Sequence, residues 1–119
     1  MNTLLVDFVR PRLNLWARHL ERQGMAVTQV DCADRAFEEL ATLTFETMVL
    51  NMNIPRGEAL GIADYAVYRQ PNISIVAVTS NQFFSDGTLF QYIPNLCFHV
   101  SETVKMDDLG ATLQHYGAR

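Results

Sequence analysis

No apolar run in this chain approaches the roughly 18–20 residues that a membrane-spanning helix needs, so a membrane partner is not expected. Cysteine is scarce. Cys32 and Cys97 lack metal-ligand spacing and sit among apolar neighbours, which favours free thiols over a structural disulfide. Glycine is thin wherever it would cradle a phosphate: neither G-x-G-x-x-G nor G-x-x-x-x-G-K-[ST] occurs, which argues against a nucleotide-binding loop. Positive charge is outnumbered too, with 9 Lys and Arg against 13 Asp and Glu and a net charge of −4. Nucleic-acid-binding domains usually carry a basic surface, so no nucleic-acid partner is expected. Repeats, low-complexity tracts and linker-like stretches are also missing, and 119 residues suit one domain spanning residues 1–119. The opening MNTLLVDFVR has no basic region ahead of its apolar stretch and reads as a first strand, not a secretory leader. The expected location is cytoplasmic.

What the chain does have is alternation. Leu4 to Val6 form a compact β-type run, and Leu13, Trp16, Ala17 and Leu20 then recur at helical spacing up to Gly24, a residue suited to a helix C-terminus. Residues 26–30 read as a strand, and Ala33, Phe37, Leu40 and Ala41 as a second helical stripe. A third strand at 47–50 enters a loop at Asn53-Ile54-Pro55, followed by a helix from about Glu58 to Arg69. The run 73–78 is the most strand-like of all. An aromatic-rich helix over about 84–93, a strand at 96–100 and a last helix carrying Met106, Leu109, Leu113 and Tyr116 complete the chain. Lys105 is expected in the first turn of that helix. Five continuous apolar strands alternating with five helices predict a doubly wound α/β sandwich around a parallel sheet. Ligand crevices in such sheets lie beyond the carboxyl ends of the strands. The loops at Asp7-Phe8, Asn51 to Pro55, Thr79-Ser80 and Ser101-Glu102 are therefore the ones that matter.

At these loops the sequence resembles the receiver domain of two-component response regulators, over essentially its whole length. The first strand ends LLVDF where the family has a pattern like LLVDD. LNMNIPRGEALGI stands where it has one like LDLNMPRMDGLEL, with Pro55, Glu58, Ala59 and Leu60 in matching places. AVTS supplies Thr79 and Ser80 after the fourth strand, and FHVSETVKMDDL keeps the frame of the fifth without its Lys-Pro. The resemblance implies a flavodoxin-like (βα)5 fold with a five-stranded parallel sheet. It also implies a pocket in which an aspartate takes up a phosphoryl group beside Mg²⁺.

The departures decide the expected chemistry. Counting from Pro55, the acceptor position falls on Asn51, and a carboxamide is not a usable nucleophile for an acyl phosphate. The second acidic position is Phe8, which leaves Asp7 as a lone carboxylate, and Mg²⁺ wants hard oxygen ligands in near-octahedral array. The lysine position falls on Ser101 or Glu102 according to register, and neither is a cation. The pocket of Asp7, Phe8, Asn51, Asn53, Thr79, Ser101 and Glu102 therefore reads as a degenerate phosphoacceptor site with no catalytic residue, metal or cofactor. Asp7 by itself is equally a residue capping the first helix. Asn51 is equally a turn residue, and Thr79 a hydroxyl that ends a strand. The switch-aromatic position of the family falls on Phe98 or His99, with the same register choice.

Two surfaces suggest partners. Arg10, Asn14, Arg18 and Arg22 recur at i, i+4 on the first helix, away from its apolar stripe. In receivers this helix helps to dock phosphotransfer proteins, although such a stripe is also an ordinary solvated face. The segment from Phe83 to Ile93 holds more aromatic residues than one buried stripe can use, so Phe83, Phe84, Phe90 and Tyr92 include candidates for an interface. Its plain alternative is a rearranged loop that buries them. The expected function is a phosphorylation-independent regulatory domain. Its expected partners are a histidine kinase, phosphotransfer or output protein, and a second copy through the fourth-helix to fifth-helix face. Competing readings are a phosphoacceptor using an unconventional residue such as Asp7 or Thr79, and a flavodoxin-like small-ligand domain.

Overall fold

The computed structural model describes residues 1–54, 56–79 and 92–117. Chain order runs β1 (Asn2–Val6), α1 (Arg10–Arg22), β2 (Ala26–Val30), α2 (Ala33–Thr42), β3 (Thr47–Asn51), α3 (Arg56–Arg69), β4 (Ser74–Thr79), β5 (Leu96–Ser101) and α4 (Met106–Gly117). The strands form one sheet in the order β2-β1-β3-β4-β5, and every pairing is parallel. This is the doubly wound α/β fold that the alternation predicts, with the flavodoxin-like sheet that the resemblance implies.

Parallel strands need covering on both faces, and the buried residues divide that way. Leu4, Val6, Met48, Leu50, Ile75 and Ala77 turn to one side, against Ala36 and Leu40 of α2 and Ala59, Ile62 and Ala66 of α3. Leu5, Val49, Val76, Val78 and Val100 turn to the other, against Leu13, Trp16, Ala17 and Leu20 of α1 and Leu109 and Leu113 of α4. Fully burying one such aliphatic side chain contributes about 1.5–3 kcal/mol, so the two layers outweigh any single polar contact in the fold. Gly24 takes the left-handed turn after α1 at φ 94°, the conformation for which the helix end wants glycine.

Element limits differ from the sequence reading by one or two residues. α3 starts at Arg56 instead of Glu58, and β3, β4 and β5 each run one residue further, to Asn51, Thr79 and Ser101. Lys105 lies just before α4, where its carbonyl accepts the Leu109 N–H at 3.0 Å, so it is a capping residue and not part of the first turn. The expected aromatic helix lies outside the described residues apart from Tyr92 and Ile93. Ile93 is buried against the α2–α3 side and Tyr92 is exposed.

Candidate functional site

The order in which strands are added reverses between β1 and β3, and there the carboxyl ends open a crevice. The register pairs Val6 with Leu50, which carries Asp7 and Asn51 out side by side at the crevice floor. Both are buried, at 3% and 2% exposure. Phe8 turns away and packs against the α2–α3 core.

A buried carboxylate needs hydrogen-bonded partners, and Asp7 has three donors. Its Oδ1 accepts the Val9 N–H at 2.9 Å, which ties the turn into α1 without capping the helix itself; Val9 is the N-cap residue and makes no side-chain cap bond. Arg12, in the first turn of α1, then grips both carboxylate oxygens, Nε to Oδ2 at 2.5 Å and a terminal nitrogen to Oδ1 at 3.0 Å. This fork is the strongest geometry available to an arginine–carboxylate pair. The other terminal nitrogen of Arg12 lies 3.4 Å from Glu102 Oε2. Glu102 Oε1 accepts a short hydrogen bond from Asn53 Nδ2. One guanidinium thus joins loops that follow β1 and β5, and Glu102 carries the link to the loop after β3. Its pKa lies above the ordinary arginine value, chiefly because of the hydrogen bond to Asp7.

Asn51 closes the floor of the crevice. Its Oδ1 accepts the Asn53 N–H at 2.8 Å, which fixes the amide orientation and leaves Nδ2 buried with no hydrogen-bond partner among the described residues. Thr79 is buried at the end of β4, pairs with Ser101 in the sheet, and its carbonyl accepts the Glu102 N–H at 3.2 Å. Of the two residues at the uncertain register, Glu102 reaches into the crevice. Ser101 instead bonds its own turn, with Oγ 2.9 Å from Thr103 Oγ1 and accepting the Thr103 N–H at 3.1 Å. Phe98 and His99 also separate. A register shift in β5 pairs Phe98 with Val76 and His99 with Ala77, so His99 shares the sheet face of Thr79 and Phe98 takes the opposite one.

Sequence reasoning did not place Arg12 in the site. The available signal was a lone acid in a loop with a basic residue in the first turn of the next helix, and five-residue spacing outside a helix predicts no contact.

At the sheet edge, Phe98 is 45% exposed and its ring lies 6.5 Å from that of Tyr116, which meets His115 edge-on at 4.9 Å. Phe98, Ala111, Thr112, His115 and Tyr116 line an open hollow of about 280 Å³. Of the basic stripe on α1, Arg18 and Arg22 are exposed, whereas Arg10 is engaged by Asp31 at 2.7 Å, a bond that holds the Asp31 carboxyl below its ordinary range. Phe83, Phe84 and Phe90 lie outside the described residues. Cys32 and Cys97 are free and half-buried. Among the described residues, no three His, Cys, Asp or Glu side chains converge as a metal-ligand group, and no helix is long and apolar enough to cross a membrane.

No protein-family model matches the chain, and no curated protein matches its sequence. Solved structures do. A CheY-like response regulator receiver domain protein from Methanospirillum hungatei superposes with a TM-score of 0.87 over 98% of this chain and 93% of its own, at 16% identity. The fold is that of receiver domains. A response regulator from Burkholderia pseudomallei, solved with a phosphorylated aspartic acid, has the same receiver fold at TM-score 0.83 and 20% identity, covering 98% of this chain and 68% of its own. A protein from Rhodopirellula baltica described as an adenylate cyclase is similar at TM-score 0.86 and 20% identity, over 98% and 87% of the two chains.

Proposed function

We propose that this chain is a receiver-like regulatory domain of two-component-type signalling that acts by binding proteins and takes up no phosphoryl group. The observation that carries the reading is Asn51. In a receiver fold the acceptor stands at the end of the third strand, and here that place holds an amide whose oxygen is spent on the Asn53 N–H. An amide oxygen so engaged has neither the charge nor the freedom to attack phosphorus.

Mg²⁺, which the resemblance implies, does not suit the donor set. Both oxygens of Asp7 are bonded to Arg12, Phe8 faces the core, and the Asn51 oxygen is turned toward backbone. A positive guanidinium within hydrogen-bond reach of the lone buried carboxylate repels a second cation. Asp7 is for the same reason a poor substitute acceptor, because each of its oxygens already receives a charged donor. In this reading Glu102 stands at the lysine position and His99 at the switch-aromatic position, the pair that one register choice supplies together.

The proposed partners use two faces. Phe98, Tyr116 and the exposed Tyr92 mark the edge by β5 and α4 as a contact for a second copy, and Arg18 and Arg22 offer α1 to an acidic protein surface such as that of a phosphotransfer or kinase partner. Electrostatics of that kind chiefly tunes association rate and partner choice.

The test is intact-mass measurement after incubation with acetyl phosphate and Mg²⁺. The expected result is an unchanged mass for the wild type and for Asn51→Asp, which restores one carboxylate while Arg12 and Phe8 remain. A phosphoryl adduct on the wild-type protein would overturn the reading.

A further inference from the structure

We propose that the guanidinium of Arg12 is the resident cation of the crevice, a charge fixed to the chain in the place where a dissociable ion would otherwise be needed. Two carboxylates from opposite ends of the sequence converge on it, Asp7 through a two-pronged contact at 2.5 and 3.0 Å and Glu102 at 3.4 Å. Carboxylates at such a spacing repel each other unless a cation lies between them. Mg²⁺ and Ca²⁺ are the usual mobile solution to that problem, since both take carboxylate and amide oxygens as ligands.

The stranded amide of Asn51 is independent support. Its Nδ2 is buried and has no acceptor among the described residues. The carboxylates of the crevice are turned to other donors: Asp7 to Arg12 and the Val9 N–H, Glu102 to Arg12 and Asn53. Buried donors are rarely left unpaired, and the natural cause here is a guanidinium that has claimed the oxygens first. Arg12 also joins separate pieces of chain, Asp7 after β1 and Glu102 after β5. Through Glu102 and Asn53 it ties the ends of β1, β3 and β5 in one arrangement. The crevice mouth therefore keeps one shape whatever the divalent content of the solution, and a partner that reads this mouth binds without an ion.

This inference deepens the proposed function, resting on it only for the statement about partners. The two fail separately, one through a phosphoryl adduct and the other through a thermal response. The test is thermal unfolding of the wild type, Arg12→Ala and Arg12→Gln in NaCl, MgCl₂ or CaCl₂ at matched ionic strength. The wild-type midpoint should not respond to divalent ions. Both variants should unfold at lower temperature in NaCl and gain about 4 °C or more in Mg²⁺ or Ca²⁺, as the freed carboxylates take the ion in place of the lost side chain. Adding Glu102→Gln to either variant should abolish the gain. Arg12→Gln keeps most of the apolar stem, so it remains readable where Arg12→Ala folds poorly. A wild type stabilised by divalent ions as much as the variants overturns the inference, as does the absence of divalent response in both variants.

Discussion

The side chain of Gln23 lies directly over Gly110. A methyl group at Gly110 would fall 1.7 Å from Gln23 Oε1, and the Gln23 amide donates to the Met106 carbonyl at 3.2 Å, joining the end of α1 to the start of α4. Glycine inside a helix is costly, and this one leaves room for the cross-helix bond. Two opposing terms then meet in Gly110→Ala. Helix propensity gains about 1 kcal/mol, and displacing Gln23 loses a hydrogen bond of about 0.5–1.5 kcal/mol. The expected net change is within about 0.5 kcal/mol, while in a Gln23→Ala background the same substitution should stabilise by about 1 kcal/mol. Urea unfolding of the four proteins gives the coupling, and equal effects in the two backgrounds would refute it.

Asn95 makes a second case where the usual ranking of substitutions reverses. It holds φ at 63°, in the left-handed region, and its Nδ2 donates to the carbonyls of Pro71 and Ile73 at 2.7 and 2.8 Å. Both Asn95→Ala and Asn95→Gly lose those bonds, but only alanine also pays about 1–2 kcal/mol for the backbone. Glycine should therefore be the milder change by about 1 kcal/mol in denaturant unfolding, despite its greater freedom in the unfolded chain. An alanine variant as stable as the glycine one would show that the clamp and not the torsion dominates.

Phe98 tests the association face. If the β5–α4 edge contacts a second copy, light scattering should show a dimer that Phe98→Asp converts to monomer, with the far-ultraviolet dichroism unchanged. A wild type that stays monomeric at high concentration removes the self-association and leaves α1 as the proposed contact.

The sheet, the direction of its strands and the crevice loops were legible because they rest on runs such as 73–78 and on helical stripes such as Leu13, Trp16, Ala17 and Leu20, whose burial follows from spacing alone. The ionic arrangement was not. Asp7 and Glu102 are 95 positions apart in sequence, and nothing in either neighbourhood announces that Arg12 lies between them. The choice between Ser101 and Glu102 was illegible for a related reason. Both are polar residues at the end of β5, and which one faces the crevice depends on the strand register, a long-range property.

That register turns on Cys97. It has no partner opposite it between the pairs Ile75–Leu96 and Val76–Phe98, so one surplus residue resets the parity of the strand from there on. Were Cys97 instead taken into the ladder opposite Val76, the strand would straighten and every later position would exchange one face for the other. The Phe98 ring would be driven toward the α3 side, and the imidazole of His99 would be delivered to the hollow beside α4. The difference between a sticky aromatic edge and a wet one is therefore written in a single unpaired thiol-bearing residue.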